Sequence, residues 1–169
     1  MPPQITCLAD TRFNSSKYSC FGLSSSQVFL SKTEEAEVVE AIRLAEQNTS
    51  GEIRVHIEKE TSIAPIERAV EVFHLLQMEN TQERNGVLIY VATQSKQFAI
   101  CGDQGIHEKV TNSFWDSTKE VMLNHFKMGN NKQALVDGIL KAGDQLKKYF
   151  PFQEDDTDEL SNELSKGEL

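Results

Sequence analysis

No stretch of this chain approaches the ~18 consecutive apolar residues that a membrane-spanning helix requires, so no span is expected. The first residues, MPPQITCLADTRFNSSKYSCFGLSSS, lack the basic start and apolar centre of a secretory signal. Basic residues are scarce: 17 Lys and Arg stand against 26 Asp and Glu, a formal charge of −9. Binding to phosphate backbones needs a basic stripe, and none is visible, which excludes nucleic acid as an expected partner. The three cysteines, Cys7, Cys20 and Cys101, are odd in number and widely spaced, without a CxxC pair. That argues against a disulfide framework and a thiolate metal site. Cys101 reads as a small buried strand residue. The four histidines form no HExxH pair, and GxSxG, Walker and GxGxxG motifs are missing.

Apolar residues are also few, at 38%, which is low for a chain folded from end to end. The shortfall falls at both ends. Residues 1–26 show no helical or strand period and are expected to be disordered or a start-site artefact. Gln153 to Leu169 carries seven acids against one base, Lys166, and so holds −6 of the −9. Residues 152–169 are expected to form a flexible acidic tail. That leaves residues 27–151 as one domain, long enough to bury a core. The expected form is a cytoplasmic monomer.

What the chain does have is the stretch from Arg84 to Gly105, RNGVLIYVATQSKQFAICGDQG. Asn85-Gly86 is a turn signal, and Val87 to Ala92 runs without a polar break, as a strand buried on both faces does. Thr93 to Lys96 turns the chain, and Gln97 to Cys101 returns as the antiparallel partner. Upstream, Ser31-Lys32-Thr33-Glu34 fits a capping box opening a helix. Glu52 to Lys59 alternates, with Ile53, Val55 and Ile57 on one face and Glu52, Arg54, His56 and Glu58 on the other. This predicts a strand with one polar face or an edge position, and a solvated His56. Pro65 starts a second helix. After Gly105, a short turn and two longer helices are expected, the latter to about Lys127 and from about Lys132 to Tyr149.

Strand, helix, strand makes a right-handed crossover and a parallel pair, and the hairpin adds an antiparallel strand. The fold predicted is α/β: a three-layer α/β/α sandwich, Rossmann-like, with a small mixed sheet covered by helices on both faces. In this topology Glu52, Glu83, Asn85 and Asp103 gather at one end of the sheet. Hard oxygen donors on converging loops suit Ca²⁺ or Mg²⁺. The same residues also serve as ordinary loop-capping groups, Asp103 between glycines above all.

Three segments carry a family resemblance: Ser50-Gly51-Glu52-Ile53-Arg54-Val55, Asn85-Gly86-Val87-Leu88-Ile89-Tyr90-Val91-Ala92 and Gly102-Asp103-Gln104-Gly105-Ile106. In this order the chain resembles the TPM domain family over roughly Val28 to Pro151, in its short, stand-alone bacterial form. The resemblance implies the same sandwich and a divalent cation, notably Ca²⁺, in a crevice of loops at one sheet edge. It implies Asp103 as the first metal ligand, with Asn85 and Glu83 behind it. It also implies at most a weak, metal-dependent phosphatase activity. The chain departs from the family's N-terminal motif, represented here by Gln27-Val28-Phe29-Leu30-Ser31. Two functions follow as expectations: a cation-binding domain without committed catalysis, or a non-catalytic interaction domain whose cation orders its binding loops.

Overall fold

In the computed structural model, residues 6–12 and 28–167 are described. Helix α1 (Lys32–Glu46) begins as its sequence requires. The Ser31 hydroxyl accepts from the Glu34 amide at 3.2 Å, and the Glu34 carboxylate accepts from the Ser31 amide at 2.7 Å. Two otherwise orphaned donors are satisfied, which fixes where the helix starts. Strand β2 (Glu52–Glu58) follows, then α2 (Pro65–Leu75), with proline in its first turn. Strands β3 (Gly86–Ala92) and β4 (Gln97–Gly102) form the hairpin. A four-residue helix α3 (Gln104–His107) leads to α4 (Asp116–Lys127) and α5 (Asn131–Leu146).

Strands β2 and β3 are parallel, with Glu52 opposite Gly86 and Ile53 opposite Val87. Every residue of β3 is buried. Because side chains alternate, Val87, Ile89 and Val91 join the core beneath α1, α4 and α5, while Leu88, Tyr90 and Ala92 join the core beneath α2. The result is the expected α/β/α sandwich around a mixed sheet. Among the described residues, no helix is long and apolar enough to cross a membrane.

Two segments expected to stand outside the fold belong to the sheet: β1 (Thr6–Arg12) and β5 (Ser165–Lys166), in the order β1-β4-β3-β2-β5. Within the stretch expected to be disordered, Thr6–Arg12 is strand β1, antiparallel to β4 with Cys7 opposite Cys101. Its register shifts between Leu8 and Thr11, and that irregularity erases the period of two by which a strand is recognised. The rest of that expectation lies outside the described residues.

The acidic tail, expected to be flexible, is docked along β2. Pro151 bridges to Thr49, and β5 (Ser165–Lys166) pairs parallel to β2 with Ser165 opposite His56. Leu160 packs on the α2-side core and Leu164 on the opposite core, so the strap crosses the sheet edge. What holds it is these two leucines, main-chain pairing and a few polar anchors, too sparse a set to produce a hydrophobic period. This strap buries the polar face of β2. His56 is 6% exposed rather than solvated, with its Nδ1 2.9 Å from the Ser165 hydroxyl.

Candidate metal centre

The parallel pairing of β2 with β3 brings two loops together at the sheet end where both strands start: the turn after α1 and the segment from Met78 to Asn85. The tail closes this end from outside. Glu52 opens β2 and is 5% exposed. Its carboxylate accepts the main-chain N–H of Glu159 at 2.9 Å and of Leu160 at 3.3 Å. Glu46, in the last turn of α1, accepts the N–H of Ile53 at 2.7 Å. Asp158 of the tail completes the group: Glu46, Glu52 and Asp158 each offer a carboxylate oxygen, all within 4.8 Å of one another.

Burial at this edge suppresses the ionisation of Glu46 and Glu52. Burial pushes the Glu46 carboxyl up to about 8, and the charges of Glu52 and Asp158 add to it against the Ile53 amide. Glu52 is likewise raised, first by burial and then by Asp158, against the two tail amides. Such a group holds either protons or a cation. The three acids line a cavity of about 220 Å³ together with Arg43, Phe152, Asp156 and Asn162. That is room for an ion and several waters, at ~30 Å³ each.

A second cavity of about 130 Å³ adjoins it, lined by Ser50, Gln82, Glu83, Asn85 and the tail's Asp155, Asp156 and Glu159. Asn85 is 1% exposed. Its Nδ2 donates to the Ser50 carbonyl at 3.0 Å and to Glu83 at 3.3 Å. Its Oδ1 is buried without a hydrogen-bond partner among the described residues. A buried acceptor of this kind costs about 1–3 kcal/mol unless something binds it.

Asp103 plays another part. It is fully buried, and Arg84 donates to both of its oxygens, at 2.8 and 2.9 Å. It also accepts the Gln104 N–H at 2.7 Å, capping α3. Its own N–H donates to the Gly86 carbonyl at 2.9 Å. Both oxygens are thus committed to tying the β4–α3 turn to the loop before β3. Glycine at 105 is required by that closeness: a Cβ there would sit 2.2 Å from the Glu83 carbonyl.

The structure places Glu52, Glu83 and Asn85 on the cavity walls and Asp103 at the same sheet end, paired with Arg84. Glu46 and Asp158 carry no signal of this role in the sequence. Glu46 looks like one more acid on the wet face of α1, and Asp158 sits in a charge run. Only the strap brings the two together.

At the far end of β2, Glu58 accepts from Arg68 at 2.8 and 3.0 Å and from the Tyr90 hydroxyl. Burial raises its carboxyl, but these bonds and the Arg68 charge outweigh burial and hold it below the usual range.

A mixed sheet between two helical layers, with a crevice of oxygen donors where its parallel strands begin, defines an α/β sandwich domain with an acidic cluster at one sheet end. The TPM domain profile matches residues 24–145, and the chain belongs to this family. Among solved structures, the chain is similar to the BA42 protein of the psychrophilic bacterium Bizionia argentinensis, determined by NMR. The two are 55% identical, with a TM-score of 0.81, over 86% of this chain and 100% of that one. A search of curated proteins returned no match.

Proposed function

We propose that this chain is a divalent-cation-binding TPM domain without committed catalysis, its ion held between Glu46, Glu52 and Asp158. The observation that carries the reading is the convergence of three carboxylate oxygens within 4.8 Å. Oxygens around Ca²⁺, at 2.3–2.6 Å from the ion, lie up to about 5 Å apart, whereas a Mg²⁺ shell is tighter. Ca²⁺ is accordingly the first choice and Mg²⁺ the second. Glu83 and Asn85 offer further oxygens in the adjoining cavity, where the unpartnered Asn85 Oδ1 would take a cation or its water. Asp103 leaves the proposed ligand set because Arg84 engages both of its oxygens.

The phosphatase activity implied by resemblance is not favoured. A phosphate entering this crevice meets a wall of carboxylates, and among the described residues Arg43 is the one basic group lining either cavity. Calorimetric titration of the metal-stripped chain with CaCl₂ and MgCl₂ tests the proposal. Saturable Ca²⁺ binding with Kd of about 10⁻⁵–10⁻³ M is expected, weakened at least about 10-fold in Glu52→Gln. Unsaturable heats for the wild type at millimolar Ca²⁺ would overturn it. A phosphomonoester assay run beside it should give turnover no higher than a contaminant control.

A further inference from the structure

The docked tail concentrates negative charge that the main chain alone does not offset. Asp155, Asp156, Asp158 and Glu159 lie against Glu46, Glu52 and Glu83, and every one of these seven lines one of the two cavities. The tail is fastened here by hydrogen bonds between partners that are otherwise like-charged. Glu52 holds the Glu159 and Leu160 amides, and Glu159 in return accepts the Gln82 amide at 3.1 Å through each oxygen. Asn85, whose Oδ1 is buried without a hydrogen-bond partner among the described residues, lines the adjoining cavity. Beyond this point the strap runs on as β5 along β2, where the Gly167 amide donates to the Ile57 carbonyl at 2.9 Å. Gly167 lies over Glu58 and His56: a Cβ there would fall 2.8 Å from Glu58 Cβ and 3.4 Å from His56 Nε2.

We infer that the cation and the C-terminal strap form one device: a divalent ion between Glu52 and Asp158 clasps residues 158–167 onto the edge of β2, and loss of the ion releases them. The inference rests on the cation reading above and adds to it a regulated surface. One ligand, Asp158, comes from the strap and the others from the sandwich, so the ion crosslinks the two and offsets their repulsion. Release uncovers the open backbone edge of β2, a ready template for another extended segment. It also uncovers the polar face of β2, which carries Glu52, Arg54, His56 and Glu58, with Arg68 paired to Glu58. The strap is thus an internal occupant of a strand-accepting groove, and the cation decides whether that groove is closed.

Binding linkage is reciprocal: whatever loosens the strap must weaken the ion by the same factor. Gly167→Val loosens it about 20 Å from Glu52, six residues along the strand at ~3.3 Å each. The experiment uses the full chain. Amide hydrogen exchange by NMR is followed with and without Ca²⁺, with a KCl control at matched ionic strength, and Ca²⁺ affinity of the wild type and Gly167→Val is measured calorimetrically. Ca²⁺ is expected to slow exchange at 158–167 and at the β2 edge, and Gly167→Val to weaken Ca²⁺ about 5-fold or more. Asp158→Asn should abolish the Ca²⁺-dependent protection, and it serves as the second variant if Gly167→Val fails to fold. Saturable Ca²⁺ binding with unchanged tail exchange and wild-type affinity in Gly167→Val would overturn the clasp while leaving the cation site standing. Equal protection by KCl would overturn it as mere screening. Absence of any Ca²⁺ binding would overturn both.

Discussion

At the scale of single residues, Asp103 and Glu52 show how one residue type takes opposite roles within one edge of a sheet. Asp103 is fully buried but meets a guanidinium and a helix N-terminus, so its charge is matched. Glu52 is nearly as buried but meets two amides and other acids, so its charge is resisted. Removing Arg84 strands a buried carboxylate on one remaining amide. Arg84→Ala should therefore cost about 3 kcal/mol of stability, read as a lower midpoint in urea, while Ca²⁺ affinity stays within about two-fold of wild type. Loss of Ca²⁺ binding in a folded Arg84→Ala would return Asp103 to the ligand set. Glycine at 105 belongs to the same lock. A methyl group there would meet main-chain carbonyls within 3 Å, and these cannot step aside as a side chain can.

At the scale of elements, close approach between helices is set by glycine and by what stands opposite. Gly143 of α5 faces Ala45 of α1, and a Cβ at 143 would lie 2.8 Å from the alanine Cβ and 3.2 Å from its Cα. Gly138, one turn earlier, faces the thioether of Met122 on α4, and a Cβ at 138 would lie 2.5 and 2.6 Å from its Cγ and Sδ. Alanine is the better helix former by about 1 kcal/mol at either site. At 143 the obstacle is backbone and a side chain with no rotamer to change, so Gly143→Ala should be destabilising by about 1–2 kcal/mol net. At 138 the flexible methionine can swing away, and Gly138→Ala should cost less. Denaturation midpoints of the two variants check the order; a reversed order would mean that α4, not α1, sets the position of α5. The sheet edges follow a related logic, since β1 covers β4 and β5 covers β2 at His56 and Ile57.

At the scale of the whole molecule, the charge of −9 and the acid-lined crevice make stability depend on cation and on pH. An ion that binds only the folded chain stabilises it by about 2.7 kcal/mol at 100 times its Kd. For a chain of this size that raises the thermal midpoint by about 5–10 °C, measurable by calorimetry with and without Ca²⁺. In the ion-free chain Glu46 keeps its proton to about pH 8, while in the unfolded chain it loses it near 4.5. The folded state therefore binds more protons across that window. Its stability from this group is full below the lower value and falls as pH rises through the upper one. Thermal midpoints of the ion-free protein should decline from acid toward pH 8, and Glu46→Gln should flatten that decline. A rising midpoint over the same range, unchanged in the variant, would show that Glu46 is ionised in the folded chain.

The sandwich is legible in local patterns of the chain. The unbroken run Val87–Ala92, the alternation from Ile53 to Ile57 and the capping box at Ser31 are local patterns, and chain chirality turns their order into a parallel pair with a hairpin. That topology was enough to bring Glu52, Glu83 and Asn85 to one edge. Which oxygens converge, and which are already engaged, depends on contacts between distant segments. Asp103 is claimed by Arg84, a pairing that depends on side chains meeting across a turn. Glu46 and Asp158 are 112 positions apart and converge only because the tail lies along β2. An edge strand such as β5 is held by backbone bonds to its neighbour, and backbone bonds leave no trace in side-chain periodicity.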